Sequence, residues 1–187
     1  MNEVTFRHET TRHNTNTTLR FKPTRTLRIR ARPQPSHPRE PTSRAPHNPG
    51  KTVALVACVK SKQTKSAPAK DLYTSALFKK TKAYAQKNSR SWYILSAKYG
   101  LLEPDEIIAP YEKTLKTMPS RERYAWAKRV LAALDTRLQP DDRVILLAGE
   151  TYREHLVPAL QAEGHEVLIP LQGLSFGKQL QWLTENT

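Results

Sequence analysis

Four short apolar runs recur along this chain: 52–59 (TVALVACV), 92–97 (WYILSA), 143–149 (RVILLAG) and 166–171 (EVLIPL). None of them alternates apolar with polar residues. A strand with one face in water alternates; a strand covered on both faces does not. The segments between the runs carry helical spacing. Leu72 to Gln86 aims Leu72, Ala76, Phe78, Ala83 and Tyr84 at a core. Pro119 to Leu138 starts with Ser120 before Arg-Glu-Arg and lines up Tyr124, Ala127, Val130, Leu131 and Leu134 on one face. A third helix is expected from about 151 to 162, ending at Gly164, and a last one from about 176 to 183. That last helix, around Gln179-Leu-Gln-Trp-Leu, reads as packing. Strand and helix in alternation, with fully buried strands, predict an α/β fold around a parallel sheet.

Residues 1–50 are different. They hold half of the 14 prolines and almost no apolar periodicity, so they read as a disordered Arg/Pro-rich tail before a domain at 51–187. The formal net charge is +14, half of it in the tail, which has 10 Lys+Arg against 3 Asp+Glu. So basic a chain is drawn to polyanions, and nucleic acid is the expected partner. Cys58 is the one cysteine, so no intrachain disulfide can form. No run of about 18 apolar residues is present to span a membrane, and no secretory leader is evident. A soluble, cytoplasmic protein is expected. Nothing in the sequence marks an oligomer interface.

In a parallel sheet the ligand sits beyond the C-terminal ends of the strands. Four segments belong there: Cys58–Lys65, Ser96–Thr114, Gly149–Arg153 and Pro170–Gly177. The second is the richest. It joins Ser96, Lys98, Tyr99, Asp105, Tyr111, Glu112 and Thr114 in one long connection, the composition of a loop that handles a ligand. Tyr99 and Tyr111 offer faces for stacking a base. Asp105 and Glu112 can orient water or stabilise a sugar cation, and Lys98 can hold negative charge. Lys60 and Lys62 after the first run, and Arg153 after Gly149, are candidates for phosphate contact. Gln172 carries an amide able to read a base edge. Cys58 has no Cys-His-Asn setting and reads as a buried, inert thiol. No metal-ligand spacing stands out, so no metal or other cofactor is expected.

Several motifs occur together in order: VALVACVKSK, DLYTSALF, SAKYGLLEPDEIIAPYEKTL, LLAGETYREHL and PLQGLSFGKQLQWL. Over residues 51–183 they resemble a family of small uncharacterised domains similar to the uracil-DNA glycosylase-like superfamily and related to YaaA-type proteins. The resemblance implies a three-layer α/β/α fold with a central, mostly parallel four-stranded sheet. It implies hydrolysis of the N-glycosidic bond of a base in DNA, leaving an abasic site. Modified bases are the attractive targets, and defence against phage with modified DNA is the attractive setting. The stretch Pro104-Asp105 to Tyr111-Glu112 would correspond to the superfamily's water-activating loop, with Asp105 the first carboxylate and Glu112 the second. The chain lacks the Gly-Gln-Asp-Pro-Tyr and His-Pro-Ser-Pro sequences of that superfamily, so Lys98, Gln172 or backbone donors must stabilise the leaving base.

Two other functions fit the same residues. One is a non-catalytic nucleic-acid-binding or stress-response protein of this fold, which the missing histidine motif favours. The other is a hydrolase or transferase of free nucleosides or nucleotides, for which the basic tail has no use.

Overall fold

A computed structural model describes residues 50–187. The expected tail lies outside the described residues, Gly50 excepted. In chain order the elements are β1 (Thr52–Ala57), β2 (Ala67–Pro68), α1 (Ala69–Leu72), α2 (Ala76–Asn88), β3 (Ser91–Ser96), β4 (Gly100–Leu102) and β5 (Ile107–Ile108). A 3-10 turn (Leu115–Thr117) leads into α3 (Ser120–Asp135), β6 (Arg143–Leu147), α4 (Glu150–Ala162), β7 (Val167–Leu168) and α5 (Phe176–Asn186).

The central sheet runs β4-β3-β1-β6-β7 and is parallel except for β4. Both faces of β1 are covered, which explains its continuous apolar run. Val53 and Leu55 face a core with Trp126, Val130 and Leu134 of α3 and Leu156 and Leu160 of α4. Ala54 and Val56 point the other way, to Leu72 of α1, Phe78 and Ala85 of α2 and Leu183 of α5. The three-layer α/β/α architecture follows.

The sheet has five strands rather than four. The extra one, β4, comes from what reads as loop. Ser96 Oγ accepts the backbone N–H groups of Lys98 (3.3 Å) and Tyr99 (3.1 Å), which bends the chain. Gly100 then takes φ +84°, open to glycine at little cost. Leu101 and Leu102 come back beside Leu95 and Ile94. A three-residue connection closed by glycine is a hairpin signal, and it is legible in Ser-Ala-Lys-Tyr-Gly.

Two helices also depart from expectation. The segment expected as one helix over 72–86 is two, because Tyr73 is extended and Ser75 starts a new helix by accepting the Phe78 N–H at 3.2 Å. Ala76 is exposed as a result. On α3, Tyr124 is 54% exposed and Trp126 takes the core, its indole N–H donating to the Ser96 carbonyl at 2.9 Å. That buried bond sets which face of α3 turns inward.

At the N-terminal end of the sheet a buried carboxylate ties the start of β1 to the turn before β6. Asp142 accepts the backbone N–H of Lys51 on Oδ1 (2.9 Å) and that of Gln139 on Oδ2 (2.8 Å). The Lys51 ammonium lies 3.6 Å from Oδ2 and also donates to the Arg137 carbonyl. Asp142→Ala strands two part-buried N–H donors and is expected to lower stability by roughly 1–3 kcal/mol, read from the midpoint and slope of urea unfolding.

Candidate functional site

After β1 the chain runs to α2 on one face of the sheet; after β6 it runs to α4 on the other. Yet β1 and β6 are hydrogen-bonded neighbours, paired from Thr52–Arg143 to Val56–Leu147. Two parallel neighbours whose connections leave in opposite directions open a crevice between their C-terminal ends. A cleft of about 880 Å³ lies there, with Ala57–Lys60 on one side and Leu147–Arg153 on the other. Glu112 to Thr114, Lys116 and Thr117 also line it, with Leu171, Gly173, Leu174 and, from α5, Gln179.

The lining is divided chemically. Lys60, Lys62, Lys113, Lys116 and Arg153 bring five cations against the carboxylates of Glu112 and Glu150. Val59, Leu77, Leu147, Leu171 and Leu174 give an apolar wall. The Nε of Arg153 is buried and has no hydrogen-bond partner. This is the composition of a site for an anionic ligand with an apolar part.

Of the residues singled out from sequence, Lys60, Lys62, Glu112, Thr114 and Arg153 line the cleft. The other six do not. Asp105 is 78% exposed and ion-paired with Lys70 of α1, so its carboxylate is engaged away from the cleft lining. Lys98 lies over the ring of Tyr99 at 4.8 Å, outside the lining. Tyr99 is partly exposed, and its hydroxyl reaches the Ala109 carbonyl at 3.4 Å. Gln172 is exposed on the turn before α5, and its neighbours Leu171 and Gly173 contact the cleft instead. Thr114, though in the lining, caps the 3-10 turn by accepting the Lys116 N–H at 3.3 Å.

Ser96 and Tyr111 are interior. Tyr111 is no stacking platform: its ring carries the Lys62 ammonium at 4.4 Å and meets the Tyr99 ring edge-on at 5.3 Å. Its hydroxyl lies 2.7 Å from Ser96 Oγ and 2.9 Å from the Tyr73 hydroxyl. The direction of this chain follows from donor counting. Ser96 Oγ already accepts two backbone N–H groups, so its proton goes to Tyr111, whose hydroxyl also shares a hydrogen bond with Tyr73. The chain orients Tyr111, and the Tyr111 ring seats Lys62 in the cleft as a cation.

Cys58 is half-buried, not sealed off. It lines the cleft, with its sulfur 3.0 Å from the Tyr152 hydroxyl. Tyr152 stacks edge-on against Trp126 at 5.4 Å. Burial pushes the phenols of Tyr73, Tyr111 and Tyr152 far above their ordinary range, and the neighbouring Cys58 sulfur adds to the shift. Among the described residues there is no cluster of three or more His, Cys, Asp or Glu side chains able to hold a metal. None of their helices is long and apolar enough to cross a membrane.

Sequence reasoning missed Lys113, Lys116, Tyr152 and Gln179 as lining residues. Lys113 and Lys116 had a signal, since they flank Thr114 in the stretch already suspected. Gln179 had none, because a helix face is indistinguishable from packing until its neighbours are placed.

Residues 53–185 match DUF6884, a family of unknown function, and the chain belongs to that family. Among curated proteins and among solved structures nothing matches the chain.

The three buried phenols set a limit at alkaline pH. In the unfolded chain each ionises near pH 10, whereas the folded protein holds it neutral. Above pH 10 the unfolded state therefore binds fewer protons, and stability falls as pH rises. At about 1.36 kcal/mol per group per pH unit, the slope approaches about 4 kcal/mol per unit. Urea unfolding at pH 9, 10.5 and 11.5 measures it, and Tyr73→Phe is expected to remove about one third.

Proposed function

We propose that this member of DUF6884 is an N-glycosidase that releases a base from nucleic acid, with DNA as its expected substrate and Glu112 as its working carboxylate. The observation that carries the reading is the cleft itself: one loop carboxylate set among five cations and beside an apolar wall, at the switch point of a parallel sheet. As a glycosidic bond stretches, positive charge grows on the sugar and negative charge on the base. Glu112 meets the first need, stabilising the sugar cation and orienting water. The cations of the cleft meet the second and hold the flanking phosphates. Lys62 replaces Lys98 in this role, since it lines the cleft and its ammonium is seated over the Tyr111 ring at 4.4 Å. The base must leave the stack, at a cost of a few kcal/mol, least for a damaged or mispaired base.

The positive charge of residues 1–50 adds affinity for phosphates.

A second reading is a nucleic-acid binder without chemistry. It is favoured by one observation: among the described residues, no hydrogen bond or ion pair holds the exposed Glu112 carboxylate in place. A catalytic carboxylate is usually held by its surroundings.

Incubation with DNAs carrying normal, deaminated and hypermodified bases separates the two. Freed base is identified by mass spectrometry and abasic sites by alkaline cleavage. The glycosidase reading expects release from one substrate, lowered about 10²-fold or more in Glu112→Gln and unchanged in Asp105→Asn. Salt-dependent binding with no release from any DNA decides for the binder.

A further inference from the structure

We infer that Gln179 reads the base: the apolar side of the cleft takes the base with its edge against the Gln179 amide, and the phosphate of the same nucleotide faces Arg153. This deepens the reading of the cleft as a nucleotide site and rests on it. Three observations carry it. First, the cleft is nucleotide-sized at about 880 Å³, and its apolar residues include Leu77 and Leu174, which accompany Gln179 in the wall. A flat heterocycle is the part of a nucleotide that such a wall accepts.

Second, among the described residues Gln179 is the one side-chain amide in the lining, and its orientation is fixed. Its Nε2 donates to the Leu174 carbonyl at 2.8 Å, and its backbone N–H donates to the Ser175 carbonyl at 2.9 Å. A carbonyl only accepts, so the NH₂ end must face Leu174. Oε1 and the second N–H of the amide remain, an acceptor and a donor on a half-buried, immobilised group. That pair complements a base edge bearing a donor beside an acceptor. The immobilisation lowers the entropy cost of binding.

Third, the polar side of the cleft has an unmet need of the opposite kind. Arg153 lines the cleft, no described residue ion-pairs with its guanidinium, and a guanidinium only donates. A phosphate supplies an acceptor and a counter-charge, with Lys113 and Lys116 in the same lining. A nucleotide satisfies both sides at once; a free base or free phosphate satisfies one.

The test uses the full chain and isothermal titration with the four deoxynucleoside 5′-monophosphates, 2-deoxyribose 5-phosphate and inorganic phosphate. At least one nucleotide is expected to bind roughly tenfold or more tightly than 2-deoxyribose 5-phosphate. In Gln179→Leu that preference collapses to within about twofold, while affinity for 2-deoxyribose 5-phosphate holds. Gln179→Met serves as a second isosteric variant, with thermal unfolding to confirm that both are folded. Arg153→Ala is expected to weaken nucleotides and sugar phosphate alike. A preference that survives in both folded Gln179 variants, or nucleotides binding no better than the sugar phosphate, overturns the inference. A Gln179-dependent preference without base release from any DNA leaves this inference standing and removes the glycosidase. Base release with an unaltered choice of base in both variants does the reverse.

Discussion

Everything in this molecule that bears on function follows from one topological constraint. Strands β1 and β6 are hydrogen-bonded neighbours running the same way, but the chain leaves them toward opposite faces of the sheet. The layers of helices that bury the sheet cannot also fill the gap where the two connections part. A cleft at that point is therefore a consequence of burying both faces of β1. Residues from five separate stretches meet there because those stretches end or begin beside the same strand ends.

The polar groups near the cleft divide into two kinds. Ser96, Tyr73 and Tyr111 are buried and satisfied by one another, and the backbone donors on Ser96 direct its proton to Tyr111. Such groups hold shape: a buried polar chain is costly to break and leaves little capacity for a ligand. Lys62, Arg153, Glu112 and Gln179 are different, since each keeps hydrogen-bonding capacity directed at no protein partner while lining the cleft. The contact between Lys62 and the Tyr111 ring joins the two kinds, at 4.4 Å. Through it, the hairpin that Ser96 bends helps to place a charge in the site. The suspected loop thus contributes, but as scaffold for most of its length.

Much of the fold was legible in the sequence, because burial on both faces is written into each strand. Val53, Ala54, Leu55 and Val56 are all apolar, and a parallel, doubly covered sheet is the arrangement that uses all four. The helices of α3 and α4 were legible from spacing, and the positions of Lys60, Lys62, Glu112 and Arg153 near strand ends followed from the order of elements. The hairpin at Gly100 had a local signal in Ser-Ala-Lys-Tyr-Gly, but what local pattern could not supply was the fate of the residues after it. Whether Asp105 meets Lys70 depends on a helix more than thirty residues away in sequence.

By itself, then, the sequence determined the layering, the basic character and the end of the sheet at which the cleft opens, because hydrophobic periodicity and charge are local properties that survive any rearrangement of loops. Tertiary structure alone decided which residues share the cleft. Asp105 and Glu112 lie seven positions apart in one segment, yet the first pairs with Lys70 and the second lines the cavity, whereas Gln179 arrives from the last helix. Side-chain partnership is fixed by where elements pack, and packing joins residues that the chain keeps far apart.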